Sequence, residues 1–238
     1  MFLLNNEVTM KHIQSFLAII LILVIIIPVY ADNQKLAMVA KTRGVVTFRH
    51  ENERAFKNTA KAGTILENGD VIKTGKESFV ALIFLDDKSQ VKLLANCDLE
   101  IRGEKVRNQL NKDLSMNFGE LKAEISDQRG GEFKISTPTS VASVKGTDFW
   151  ILSDPRLGDK VIGLSGLVEL MNQITGYTVS VGPNQTGLSL LNGSVNVQVT
   201  NPNDIPRDIV VNEKELQQLK IQFQTPRGDM KNIIIEYR

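Results

Sequence analysis

The chain has one cysteine, Cys97, in 238 residues. An intrachain disulfide and a cysteine-rich metal centre are therefore excluded. Histidine is almost as rare, with only His12 and His50. A Ser-His-Asp hydrolase would have to use His50, which sits in the charged run RHENER and reads as a solvated loop. No charge of one sign dominates: 28 Lys and Arg stand against 27 Asp and Glu, a net +1. That leaves no basic field for nucleic acid and no acidic solvating tail. Aromatics make up 6% of the chain, with a single tryptophan, Trp150. A sugar-stacking platform would have little to draw on.

A long apolar run occurs only at the N-terminus. Lys11 and His12 precede FLAIILILVIIIPVYA, residues 16–31. Its unbroken part before Pro28 is about 12 residues, inside the roughly 7–15 of a signal-peptide core and short of the roughly 20 of a spanning helix. Val29 and Ala31 provide the small residues that a signal peptidase reads. Cleavage is expected between Ala31 and Asp32, with Met10 as an alternative start and an uncleaved anchor as the alternative fate. No cysteine follows the apolar core, so a bacterial lipid anchor is not expected. Residues 1–31 are thus read as a signal peptide. The mature chain is read as exported to the periplasm or cell envelope, with no membrane span after cleavage.

Beyond the leader the pattern is strand after strand. Candidates are residues 39–48, 62–74, 78–85, 90–94, 99–102, 118–125, 132–137, 146–152, 161–171, 177–181 and 195–199. Glycine, asparagine or aspartate marks most boundaries, as at Asn68-Gly69-Asp70, Asp86-Asp87-Lys88-Ser89 and Gly130-Gly131. Residues 104–116, EKVRNQLNKDLSM, are polar and read as a loop or an irregular edge. Strands this short, with turns every 8–12 residues or so, predict an all-β fold. The expectation is a β-solenoid-like or twisted two-layer domain over residues 32–200. Residues 201–238 are read as a linker, a short helix capped by Asn212, and a β-hairpin of residues 219–224 and 231–237.

Residues 133–150, FKISTPTSVASVKGTDFW, break this rhythm. Alternation places Thr147, Phe149 and Ile151 on one strand face and Asp148, Trp150 and Leu152 on the other. Pro138 cannot donate to a ladder, so it ends a strand or sits at a corner, where Thr137, Thr139 and Ser140 can satisfy backbone groups. Val141, Ala142 and Val144 are small enough to cross a crowded interior. Gly146 allows a backbone angle or a close approach that other residues forbid. The reading is a chain that crosses the core and re-enters a sheet.

TPTSVASVKGTDFW resembles the hallmark of the FecR domain, a Thr-Pro segment leading through small residues to a Gly-Thr-acidic-aromatic strand. Upstream, LENGDVIKTGKESFVALIFLDDKSQVKL resembles the same family through Leu66, Gly69, Asp70, Ile72, Thr74, Gly75, Ser78, Leu82, Phe84, Asp86 and Ser89. Downstream, LSGLVELMNQITGYTVSVGPNQ is similar to its later strand pair. The likeness spans residues 40–190 or so. Asp86-Asp87-Lys88 stands where the family usually has a tight Asp-Gly turn. Transducers of the family also carry a cytosolic anti-sigma segment ahead of a membrane span, and at most 15 residues precede the apolar run here. Relay across the membrane is therefore not expected to carry over.

The resemblance implies a protein-interaction or structural module with no catalytic, cofactor or metal residues to transfer. Its motif residues Gly69, Asp70, Thr74, Gly75, Thr137, Pro138, Gly146, Thr147, Phe149 and Trp150 become the candidates for structural or interaction roles. Lys73, Thr74, Lys76 and Trp150 are candidate contacts wherever exposed. The expected partner is an envelope protein, the alternative a glycan or peptidoglycan, and the reading is non-enzymatic. Other chemistry fails on inspection. GDVIKTGK, residues 69–76, is one residue too long between its glycines for a phosphate loop, and Glu77 replaces the needed Ser/Thr. Asp86 and Asp87 read as turn residues, Cys97 as a small buried hydrophobe, and Arg227-Gly228-Asp229 as a hairpin turn.

Overall fold

The computed structural model describes residues 34–107 and 109–207, and the backbone of residues 217–224 and 230–237. The expected signal peptide, the Asn212-capped helix and the Arg227-Gly228-Asp229 turn lie outside the described residues.

The described chain opens with β1 (Lys35–Arg43), β2 (Val46–Arg49), β3 (Asn58–Thr59), β4 (Ile65–Glu67) and β5 (Asp70–Thr74). Then come β6 (Phe79–Phe84), β7 (Gln90–Leu93), β8 (Asp98–Val106), β9 (Gln109–Met116) and β10 (Gly119–Ile125). They are followed by β11 (Phe133–Ser136), β12 (Ser140–Val144), β13 (Thr147–Asp154) and β14 (Gly158–Ser165). The run ends with β15 (Val168–Asn172), β16 (Thr178–Val181), β17 (Gln185–Ser189) and β18 (Val195–Val199). A short 3-10 turn at Pro202–Asp204 precedes β19 (Gln217–Gln224) and β20 (Met230–Tyr237). The all-β expectation holds.

Two nine-stranded sheets carry the fold. The first runs β18-β17-β14-β13-β10-β7-β6-β1-β4, the second β16-β15-β12-β11-β9-β8-β5-β2-β3. From β6 onward the chain lays strands in one sheet, then in the other, and both sheets grow toward the same end. This is the two-layer alternative. A solenoid stacks parallel strands coil upon coil, whereas here every pairing is antiparallel except β11 with β9. The exception has a simple cause: β10 goes alone to the first sheet between them. The hairpin of β19 and β20 forms a sheet of its own, with Leu219 opposite Ile235 and Ile221 opposite Ile233.

The inner faces of both sheets close on one core. Leu82, Phe84, Leu121, Phe149 and Ile151 enter from the first sheet, and Ile72, Leu99, Leu114, Phe133 and Ile135 from the second. Phe84 and Phe133 meet edge to face across the layers at 5.4 Å, with an interplanar angle of 79°. Burying each such side chain is worth about 1.5–3 kcal/mol, so the alternating positions supply the main driving force.

Three readings need correction. Residues 104–116 are not a loop: they belong to the hairpin of β8 and β9. The period-two signal was hidden because Lys112 occupies an inward position between Leu110 and Leu114. Residues 140–144 do not cross the core; they form β12, a regular strand hairpinned onto β11 around Pro138. The passage between sheets comes after it, at Lys145-Gly146. Nor does Gly146 meet a steric need, since its Cβ position has only an ordinary contact at 3.5 Å. The need falls on Gly166, at φ +69°, where a Cβ would lie 2.5 Å from the Gly146 carbonyl oxygen.

Candidate functional site

Asn68-Gly69 does not close a hairpin. It is the corner where the chain leaves β4 in the first sheet for β5 in the second. Gly69 has φ +83°, and a Cβ there would sit 2.8 Å from the Glu51 side chain. Asp70 is buried. Its carboxylate accepts the Glu67 backbone N–H at 2.8 Å and meets His50 Nδ1 at 2.9 Å. That hydrogen bond raises the His50 imidazole above its ordinary range, against the opposing pull of burial. His50 is thus tied to the corner and is not a freely solvated loop residue.

Thr74 closes the other end of β5. Its hydroxyl donates to the Leu94 carbonyl at 2.6 Å and accepts the Cys97 N–H at 3.0 Å. The Gly75 N–H donates to Val45 O at 2.9 Å. Lys73 and Lys76 beside them are exposed. Cys97 is buried as expected, and burial pushes its thiol up to about 11, far from a nucleophile's range.

The Thr-Pro motif is a clasp between the layers. Thr137 Oγ1 accepts the N–H groups of Thr139 and Ser140 at 3.2 and 3.0 Å. The hydroxyls of Thr137 and Ser140, in the β11–β12 hairpin of the second sheet, both donate to Asp159 of β14 in the first. Asp159 is 2% exposed. Pro138 sits exposed at the tip.

A second clasp was missed in the sequence. Lys112 in β9 is 1% exposed, and its ammonium reaches Asp86 at 2.7 Å and Asp87 at 2.8 Å in the β6–β7 turn. Gln128 Oε1 accepts from it at 3.1 Å, and the rings of Phe84 and Phe133 lie 5.6 Å away. Burial alone would raise the Asp87 carboxyl. The bonds from Lys112, Ser89 and Gln128 outweigh that and hold it below its ordinary range. Asp86 and Asp87 thus turn the chain and also bind a buried cation. The available signal was a lysine at the parity of Leu110, Leu114 and Met116.

Thr147 and Phe149 point inward and Asp148, Trp150 and Leu152 outward, as alternation required. Outward does not mean exposed: Trp150 is 1% accessible without belonging to the core cluster. Of the ten motif positions, then, most hold corners, clasps or core. Among the described residues no cluster of His, Cys, Asp and Glu has metal-site geometry.

One exposed surface lies at the far end of the sandwich. Here β18 is the outer strand of the first sheet and β16 that of the second. Val199 of β18 is 83% exposed. Nearby, Thr175 Oγ1 donates to Gly193 O at 2.9 Å and stitches two turns together. Those turns leave Ile174, Tyr177 and Leu191 exposed.

Comparison with known proteins bears on the core of this arrangement. A family model described as FecR protein matches residues 70–169, from β5 to the start of β15, a span that includes both clasps. No curated protein matches the chain. Two crystal structures of a candidate anti-sigma factor from Parabacteroides distasonis ATCC 8503, at 1.65 and 2.50 Å, are similar. They share 19% and 18% identity with this chain, at TM-scores of 0.46 and 0.47. Each alignment covers 55% of this chain and 60% of that one. Over residues 70–169 the chain is thus similar to FecR proteins.

Proposed function

We propose that this chain is an exported, non-enzymatic FecR-domain protein that binds a protein partner of the bacterial envelope along strand β18. The carrying observation is the edge itself. Natural sheets guard their edges with lysine, proline or bulges. Strand β18, VNVQV, has no charge and no proline, and among the described strands it pairs with β17 alone. Its ladder is set by Leu190 N–H to Ser194 O and Thr200 N–H to Asn184 O, both 2.9 Å. Alternation then turns Asn196 and Gln198 toward β17 and leaves the N–H and C=O groups of Val195, Val197 and Val199 at the open edge. An extended segment of a partner can add there as a further strand.

The non-enzymatic reading is supported by the work of the carboxylates. Asp70, Asp86, Asp87 and Asp159 each hold a corner or a clasp. A glycan-binding reading would need an open aromatic platform, and the one tryptophan is closed.

Two measurements test the proposal. N-terminal mass mapping of the protein from fractionated cells should give a chain beginning at Asp32 in the periplasm or medium. Retention of residues 16–31 in the membrane fraction would overturn release. For the edge, Val199→Pro removes an outward N–H and leaves the β17 ladder intact. Partner binding should weaken by about tenfold or more, or ~1.4 kcal/mol, with an unchanged melting curve. Undiminished binding by this variant would remove β18 as the site.

A further inference from the structure

One long stretch of the chain is without charge. In a protein that is 23% Asp, Glu, Lys and Arg, residues 170–203 contain none of the four. The stretch runs from β15 through β18, so it holds β16 and β18, the outer strands of both sheets at one end. At the opposite end the outer strands are β3 and β4. There β3 follows the run RHENERAFK, and β4 ends on Glu67. Charge of this kind guards a natural sheet edge against strand addition. The β15–β18 end carries none of its own and leaves Ile174, Tyr177 and Val199 exposed. A surface without charge has nothing to steer a charged partner and nothing to repel a copy of itself.

The order of side chains along β18 narrows the partner. From Ser194 to Thr200 the sequence is SVNVQVT. About Val197 it reads nearly the same in both directions: amides at Asn196 and Gln198, valines at Val195 and Val199, hydroxyls at Ser194 and Thr200. When a strand pairs antiparallel with its own copy about a two-fold axis, each position before the centre faces the matching position after it. With the axis at Val197, valine meets valine, amide meets amide and hydroxyl meets hydroxyl. The backbone agrees with that centre. The ladder to β17 leaves the N–H and C=O groups of Val195, Val197 and Val199 at the open edge. In the two-fold pair Val197 exchanges both bonds with its counterpart, and Val195 does so with Val199 of the second copy. None of these outward groups is left over. The side chains of Asn196 and Gln198 are exposed, so the amide pairs form in solvent and leave the core as it is.

We infer that a second copy of this chain occupies the β18 edge, paired antiparallel about Val197 so that the first sheets of two molecules join into one. The inference rests on the reading of β18 as the open edge and names its occupant. It also gives the exposed apolar side chains beside the strand a neighbour. Val199 of one copy arrives opposite Val195 of the other, next to the turn at Gly193. That turn is tied to Thr175, and around it Ile174, Tyr177 and Leu191 are exposed. Two-fold symmetry makes the same contact at both ends of the new ladder.

Asn196 and Gln198 carry the test, because in the pair each lies opposite the other. Sedimentation equilibrium of the purified protein should show a monomer–dimer equilibrium. Asn196→Lys combined with Gln198→Lys sets lysine against lysine at two places and should weaken association about tenfold or more, with an unchanged melting curve. Asn196→Glu combined with Gln198→Glu should do the same. An equimolar mixture of the two variants should recover the dimer, because lysine then faces glutamate at both places. Association undiminished by like charge, or a mixture that fails to recover it, would overturn the pairing about Val197. Wild-type protein that stays monomeric up to about 100 µM would overturn the second copy as occupant and leave the edge to another partner. Failure of the edge itself reads differently: Val199→Pro would then change neither association nor partner binding.

Discussion

Lys112→Ala should destabilise the domain by about 3 kcal/mol, at the lower end of the loss seen when one partner of a buried ion pair is removed. For a domain of this size that is a fall in melting temperature of about 6–12 °C. Two effects add. Asp86 and Asp87 lose the cation that offsets their shared negative charge, although both keep some contact with water. The aliphatic stem also leaves a gap beside Phe84 and Phe133. Lys112→Met separates the two effects, because it fills the gap without the charge.

The two variants should also differ from wild type in pH dependence. The wild-type Asp87 carboxyl lies below its ordinary range when folded. Its stabilising contribution is therefore complete above the unfolded carboxyl value of about 3.9 and is lost as pH falls through the folded one. Without Lys112 the strongest of the bonds that hold the carboxyl down is gone, those from Ser89 and Gln128 remain, and the folded value moves up toward the unfolded one. The acid-dependent loss then shrinks. Thermal melts from pH 7 to pH 3 should show wild type losing more stability than Lys112→Met. Parallel curves for the two proteins would show that Lys112 does not set the Asp87 titration.

The second large effect is expected at the other clasp. Asp159→Ala should cost about 3 kcal/mol, because the buried Thr137 and Ser140 hydroxyls lose a charged acceptor in a place water does not reach. Asp159→Asn keeps the shape and an acceptor oxygen and should cost less. Denaturant melts that separate the two variants would assign the loss to hydrogen bonding. Equal losses would point to the carboxylate charge. A wild-type midpoint for Asp159→Ala would mean that the Thr-Pro motif does not depend on this clasp.

The alternating strands were legible wherever the rule of inside apolar and outside polar held. Phe149 and Ile151 face inward as their spacing required. Asp86-Asp87-Lys88-Ser89 does join two strands. The register of β19 and β20 follows the apolar alternation of residues 219–224 and 231–237. Asn68-Gly69-Asp70 turns the chain as its residue types required, and the pairing adds that the turn is a corner between the two sheets. A misreading arose at residues 104–116. Lys112 made a strand look like a loop, because charge in an inward position is paid for by residues far away in sequence. The burial of Trp150 was open for a different reason: strand parity fixes which way a side chain points, not what lies over it.

The strand order has a consequence for how such a chain is completed. In each layer, strands take their places in nearly the order in which they occur along the polypeptide, and no strand of the first half waits for one near the C-terminus. A chain that emerges from its N-terminus can therefore consolidate behind itself, with each new hairpin finding a finished edge to join. Among the described strands that growth ends at the β18 edge, and under the proposed function a partner's strand would use the same template that accepted β17 and β18 from within.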